Sequence, residues 1–75
     1  MKKALTLAER LGAAMRRRRE SLKTNQDDFA ASIEMHRTQY SALERGEKNL
    51  TLPTLERVCR GLQVKMSELL REAGL

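Results

Sequence analysis

Along most of the chain, apolar side chains recur every three or four residues, the spacing of one face of an α-helix. Leu7, Leu11, Met15 and Leu22 form the first such stripe and predict a helix over about 7–22. Thr6, with Glu9 three positions on, supplies a T-x-x-E capping box at its start. Arg19 falls on the same stripe, four residues after Met15. An arginine on a buried face needs a carboxylate partner, because a desolvated charge without one is costly.

The following elements are shorter. Lys23-Thr24-Asn25 interrupts the pattern; Asn25 is a good N-cap, and Asp27 and Asp28 suit the positive end of a helix dipole. A second helix is expected over about 26–33, with Phe29, Ala30 and Ile33 inward. After a break at Glu34-Met35-His36, a third is expected over about 37–45, with Tyr40 and Leu43 inward and Gly46 as a left-handed C-cap. Thr51 caps a fourth helix over about 52–62, whose first turn tolerates Pro53. Leu50 and Leu55 form a hydrophobic staple there, and Leu52, Leu55, Val58, Cys59 and Leu62 make the buried face. A fifth helix over about 66–72 offers Met66, Leu69 and Leu70. The expected fold is all-α, a compact five-helix domain occupying residues 1–75 as a single unit.

Composition agrees with that architecture. Leucine and alanine supply 20 of the 30 hydrophobic residues, against three Val or Ile and two aromatics, which disfavours a sheet. No apolar run approaches the about 20 residues that span a membrane. Met1-Lys2-Lys3 does not open a secretory signal, and the single cysteine, Cys59, forms no internal disulfide, so a cytoplasmic location is expected. With His36 and Cys59 as the only soft donors, a structural zinc site within one chain is not expected, and no cofactor is implied. No nucleophile–base pair, glycine-rich phosphate loop or metal cluster is visible, so an enzyme is not expected. On the apolar face, Cys59 reads as an inert buried thiol.

The net charge of +5 is unevenly distributed. Residues 1–23 hold eight basic and two acidic side chains, and residues 24–75 hold seven and eight. Arg16-Arg17-Arg18-Arg19 sweeps about 300° around a helix axis, so the four arginines cannot face one ligand. Some of them therefore read as solvated surface.

Two short helices joined by a three-residue break, the second followed by Gly46, read as a helix-turn-helix, a corner that many helical proteins contain. The side chains are more specific. Gln26-x-x-Phe29-Ala30, Met35-His36-Arg37-x-x-Tyr40-Ser41-x-Leu43-Glu44-Arg45-Gly46 and Asn49-Leu50-Thr51-Leu52-x-Thr54-Leu55 resemble the Cro/repressor-type (Xre) helix-turn-helix family, as does Leu62-Gln63-Val64-x-Met66-x-Glu68-Leu69-Leu70. The resemblance covers roughly residues 7 to 72. Within the family, His36-Arg37-Thr38 followed by Glu44-Arg45-Gly46-Glu47-Lys48-Asn49 looks most like the small controller proteins of restriction–modification systems. Departures are Glu34 where the family has Gly, Lys23-Thr24 for Gly-Leu, Tyr40 for an aliphatic residue and Lys65 for the cap Ser. Tyr40 brings a hydroxyl that needs a partner, and Glu34 would have to accept a left-handed turn geometry.

The resemblance implies a sequence-specific DNA-binding transcriptional regulator. It implies a homodimer on a pseudo-palindromic operator in double-stranded DNA, with no small-molecule effector domain. The N-terminal residues of the second motif helix meet base edges in the major groove, which makes Arg37 and Thr38, then Gln39, Ser41 and Ala42, the base-reading candidates. Arg37 matches the O6 and N7 acceptors of guanine. Gln26, at the start of the first motif helix, is the family's phosphate-contacting residue, and a helix N-terminus favours an anion. His36, Lys48, Asn49, Arg17 and Lys23 are further phosphate candidates. Arg19 and Glu44 correspond to a paired arginine and glutamate of the family, a structural ion pair that the stripe argument asks for independently. Met66, Leu69, Leu70 and Leu75 are the expected dimer interface. The competing readings are an antitoxin or other interaction module with the same fold, a phage-type repressor, and binding to nucleic acid by charge alone.

Overall fold

The computed structural model describes residues 4–75; Met1-Lys2-Lys3, on which the absence of a secretory signal was argued, lies outside them. The chain forms α1 (Leu7–Ser21), α2 (Gln26–Ser32), α3 (Arg37–Glu44), α4 (Leu52–Leu62) and α5 (Met66–Glu72). The first three end one residue short of the expected limits, since Leu22, Ile33 and Arg45 are C-caps. Among the described residues no helix is long and apolar enough to cross a membrane.

The helix starts are made by local chemistry. Thr6 and Glu9 close a reciprocal capping box, with N···O separations of 2.8 and 3.1 Å. The Asn25 side chain accepts from the Asp28 N–H at 2.8 Å, and Thr51 caps α4 through the Thr54 N–H at 3.3 Å. At α5, Lys65 lacks a capping oxygen, but its N–H donates to the Glu68 carboxylate at 3.0 Å, so half the box survives.

Around the core, α1 packs on α3, α4 and α5, while α2 packs on α3 and α4 on α5. Ala14, Met15, Tyr40, Val58 and Leu69 are fully enclosed at its centre. Phe29 and Tyr40 meet with ring centroids 4.9 Å apart and an interplanar angle of 50°, which ties the two motif helices together. Cys59 is buried, and burial pushes its thiol above the ordinary range, so it stays protonated and unreactive.

The two ends of the α1 stripe fall outside the core. Leu7 and Leu22 are exposed. A 15-residue helix is about 22 Å long and an 8-residue one about 12 Å, so α3 alone cannot cover the length of α1. Leu52 is also outside the core, at 72% exposure. Leu50 packs against the core at the start of α4 instead.

Gly12 was not singled out by pattern, yet it sets the distance between α1 and α3. A methyl there would collide with the carbonyl oxygens of Leu43 and Glu44. Gly46 combines φ +72° with a backbone so close to Glu9 that no side chain fits. Glu34, by contrast, has φ 55° and an exposed side chain. It holds the left-handed position of a Schellman turn, in which the Met35 N–H donates to the Ala30 carbonyl at 2.9 Å. A left-handed residue with a Cβ costs about 1–2 kcal/mol. Glu34→Gly is therefore expected to stabilise the fold by about 1 kcal/mol, read as a higher urea midpoint at unchanged slope. An unchanged or lower midpoint would show that Glu34 is not strained.

Candidate nucleic-acid interface

The site is built on a buried ion pair. Arg19 donates from Nε to Glu44 Oε2 at 2.7 Å and from Nη2 to Oε1 at 3.1 Å, and its Nη1 reaches the Thr24 carbonyl at 2.9 Å. The side chains are only 10% and 3% exposed. Gln26 Nε2 donates to the same Glu44 Oε1 at 2.8 Å. One carboxylate thus joins the end of α1, the start of α2 and the end of α3. Burial by itself would raise the Glu44 pKa, but the hydrogen bonds from Arg19 and Gln26 and the guanidinium charge outweigh it and hold it below the usual carboxylate range. Tyr40 lies beside the pair, and its buried hydroxyl has no hydrogen-bond partner among the described residues. Burial and the Glu44 carboxylate push its phenol well above the ordinary value, so it remains neutral.

This clamp turns one face of α3 inward and leaves the other free. Arg37, Thr38 and Gln39 are exposed, and Ser41 is half-buried with its hydroxyl accepting from Arg45. Arg45 also grips Glu47 through two contacts of 2.7 and 3.1 Å. At the N-cap of α3, His36 accepts the Thr38 N–H on Nδ1 at 3.1 Å. An imidazole that accepts at Nδ1 carries its proton on Nε2, so the exposed ring presents an N–H donor. Lys48 and Asn49 are exposed on the loop after α3, and Lys23 is exposed, at φ 57°, before α2.

Three candidates fall elsewhere. Ala42 is 6% exposed; the chain turns back at Gly46 so that the Glu47 N–H meets the Ala42 carbonyl at 3.0 Å, and the methyl has little surface to offer a base. Arg17 donates to the Glu72 carbonyl at 3.3 Å at the end of α5, away from Gln26 and α3. Leu69 is completely buried in the monomer and has no surface for a dimer contact. Sequence periodicity finds faces, but it does not say which neighbour covers them. Arg37, a base-reading candidate, is exposed, and its Nε lies 2.6 Å from Asp27 Oδ1. Nothing in the spacing of the two residues signalled that contact.

Together, a rigid two-helix corner and an outward helix N-terminus carrying arginine, threonine and glutamine define a DNA-binding helix-turn-helix protein. The helix-turn-helix family model matches residues 15–69, and the chain belongs to that family. The chain is 42% identical over 52 residues to Control protein C.MunI of Mycoplasma sp., covering 69% of this chain and 70% of that one. Its fold superposes on the clp gene regulator ClgR of C. glutamicum with a TM-score of 0.94 at 30% identity, covering 99% of this chain and 95% of the other. It also matches the restriction-modification controller protein C.Esp1396I, solved as a tetramer in complex with its natural 35 base-pair operator. That match has a TM-score of 0.81 and 26% identity, and covers 96% of this chain and 100% of that one. The protein is thus an all-α DNA-binding transcriptional regulator of the Xre/Cro type, similar to restriction–modification controllers, in a family of regulators rather than enzymes.

Glu44→Ala is expected to cost about 3–5 kcal/mol, because it leaves Arg19 buried and unpaired. The acid limb carries the same signature. Glu44 has a lowered folded pKa, so its stabilisation is complete above its unfolded value of about 4.3 and is lost as pH falls through the lower folded value. Thermal melts between neutral pH and pH 2 should show this loss in the parent. An alanine variant that melts like the parent at neutral pH would dismiss the clamp.

Proposed function

We propose that the protein regulates restriction–modification genes by binding, as a homodimer, a pseudo-palindromic operator in double-stranded DNA. The observation that carries this reading is the exposed N-terminal turn of α3, with Arg37, Thr38 and Gln39 outward on a helix whose other face is locked to α1 and α2. Arg37 reads guanine through two parallel N–H donors; Thr38, Gln39 and Ser41 contact neighbouring base edges. Gln26, His36, Lys48, Asn49 and Lys23 bind the phosphates that flank the groove. Gln26 keeps one amide N–H for a phosphate after donating the other to Glu44. A cytoplasmic location follows from this partner.

The reach of α3 supports a dimer. An 8-residue helix is about 12 Å long and reads one half-site, and two half-sites lie about 34 Å apart. Met66 and Leu70, half-buried on α5, and exposed Leu75 are apolar side chains with surface left to cover. Light scattering at tens of micromolar chain should give a mass of two chains, and a mass of one chain would remove the dimer from the reading.

The direct test is the affinity of the protein for duplex DNA from upstream of its own gene against a scrambled duplex at fixed salt. A preference of about 10³-fold or more marks specific binding. Arg37→Ala should cost about 1–3 kcal/mol on the specific duplex, with little change on the scrambled one. Equal binding to both duplexes by the parent protein would leave only charge-driven association.

A further inference from the structure

Arg37 does not stand alone at the start of α3. Its Nε lies 2.6 Å from Oδ1 of Asp27, and the two side chains are 64% and 69% exposed. Asp27 is the second residue of α2 and Arg37 the first of α3, so the contact bridges the motif from one helix start to the other. Exposed pairs of this kind add little to stability. The consequence of this one lies in its geometry. A guanidinium carries five N–H donors in a rigid planar fork. The contact is made at Nε and leaves the end edge, Nη1 and Nη2, unoccupied by it. The end edge holds two parallel N–H groups, the donor pattern that guanine O6 and N7 accept. An arginine without such a support loses more rotamer freedom when it docks.

Asp27 also carries a cost, since a carboxylate beside the groove repels phosphates and weakens binding to any duplex. That repulsion is common to every duplex, so it is the orientation of Arg37 that widens the gap between right and wrong sequences.

We propose that Asp27 is a specificity-determining residue, which positions the Arg37 guanidinium for guanine. The inference rests on Arg37 being a base-reader, so the experiment separates the two claims. The parent protein selects duplexes from a randomised DNA pool, and each G·C pair of the selected duplex is then changed singly to A·T. Affinities for these duplexes are measured at one salt concentration for the parent, D27N, R37A and the double variant. At one guanine position the change should weaken the parent by about tenfold or more. The same change should weaken D27N by only about two- to threefold, and R37A not at all. In the R37A background, D27N should leave that ratio unaltered, because Asp27 acts through Arg37.

A D27N protein that keeps the full ratio, or that only binds every duplex tighter by one factor, overturns the proposal and leaves the role of Arg37 intact. An R37A protein with the parent's full discrimination, or a parent that selects no sequence, removes the base-reading claim and the proposal with it. Because the pair is exposed, D27N should melt close to the parent. Should it not, Asp27→Ser removes the same carboxylate with a side chain suited to a helix start and is held to the same outcomes.

Discussion

The structure depends on a single carboxylate. Glu44 accepts two hydrogen bonds from Arg19 and one from Gln26, and Arg19 in turn holds the Thr24 carbonyl. Desolvating a carboxylate and a guanidinium is expensive, and the return comes only if the geometry is good and the remaining lone pairs are satisfied. Here both conditions are met, with bidentate contact and a third donor. An apolar cluster in the same place would pack, but it would not define how α2 and α3 are set against α1. The hydrogen-bond network does, and the orientation of the exposed α3 turn follows from it.

The close approach of α1 to α3 makes the same point from the backbone. Gly12 brings α1 onto the last carbonyls of α3, and Gly46 lets the chain leave that contact in a left-handed turn against Glu9. Both glycines and the ion pair lie where α1 meets the end of α3. That end is buried, while the opposite end, at Arg37, faces solvent. A DNA reader needs this asymmetry, because a base-reading side chain is only as well placed as the helix beneath it.

Charge is a poor guide to the interface in this protein. The four consecutive arginines carry much of the basic character of the N-terminal region, yet their partners are spread over three residues, Glu20, Glu44 and Glu72. Arg16 pairs with Glu20, Arg17 donates to the Glu72 carbonyl, Arg18 pairs with the Glu72 carboxylate and Arg19 pairs with Glu44. A turn of about 100° per residue makes this unavoidable on a helix packed against both α3 and α5. The side chains proposed to read bases lie instead in a nearly neutral stretch, where local geometry matters more than net charge.

Sequence alone determined the helices, their caps and much of the core, because these depend on neighbours three or four residues apart. Thr6 with Glu9, Asn25 with Asp28, and Gly46 are legible in that way. The demand of Arg19 for a carboxylate was legible too, as one misplaced charge on an apolar stripe; the naming of Glu44 came from family resemblance. What tertiary structure decided is which surfaces are covered. Leu7, Leu22 and Leu52 lie outside the core, whereas Ala42 and Leu69 are buried. The contact between Asp27 and Arg37 belongs to the same category. Ten residues apart, these side chains share no helical face, and only the angle between α2 and α3 brings them together.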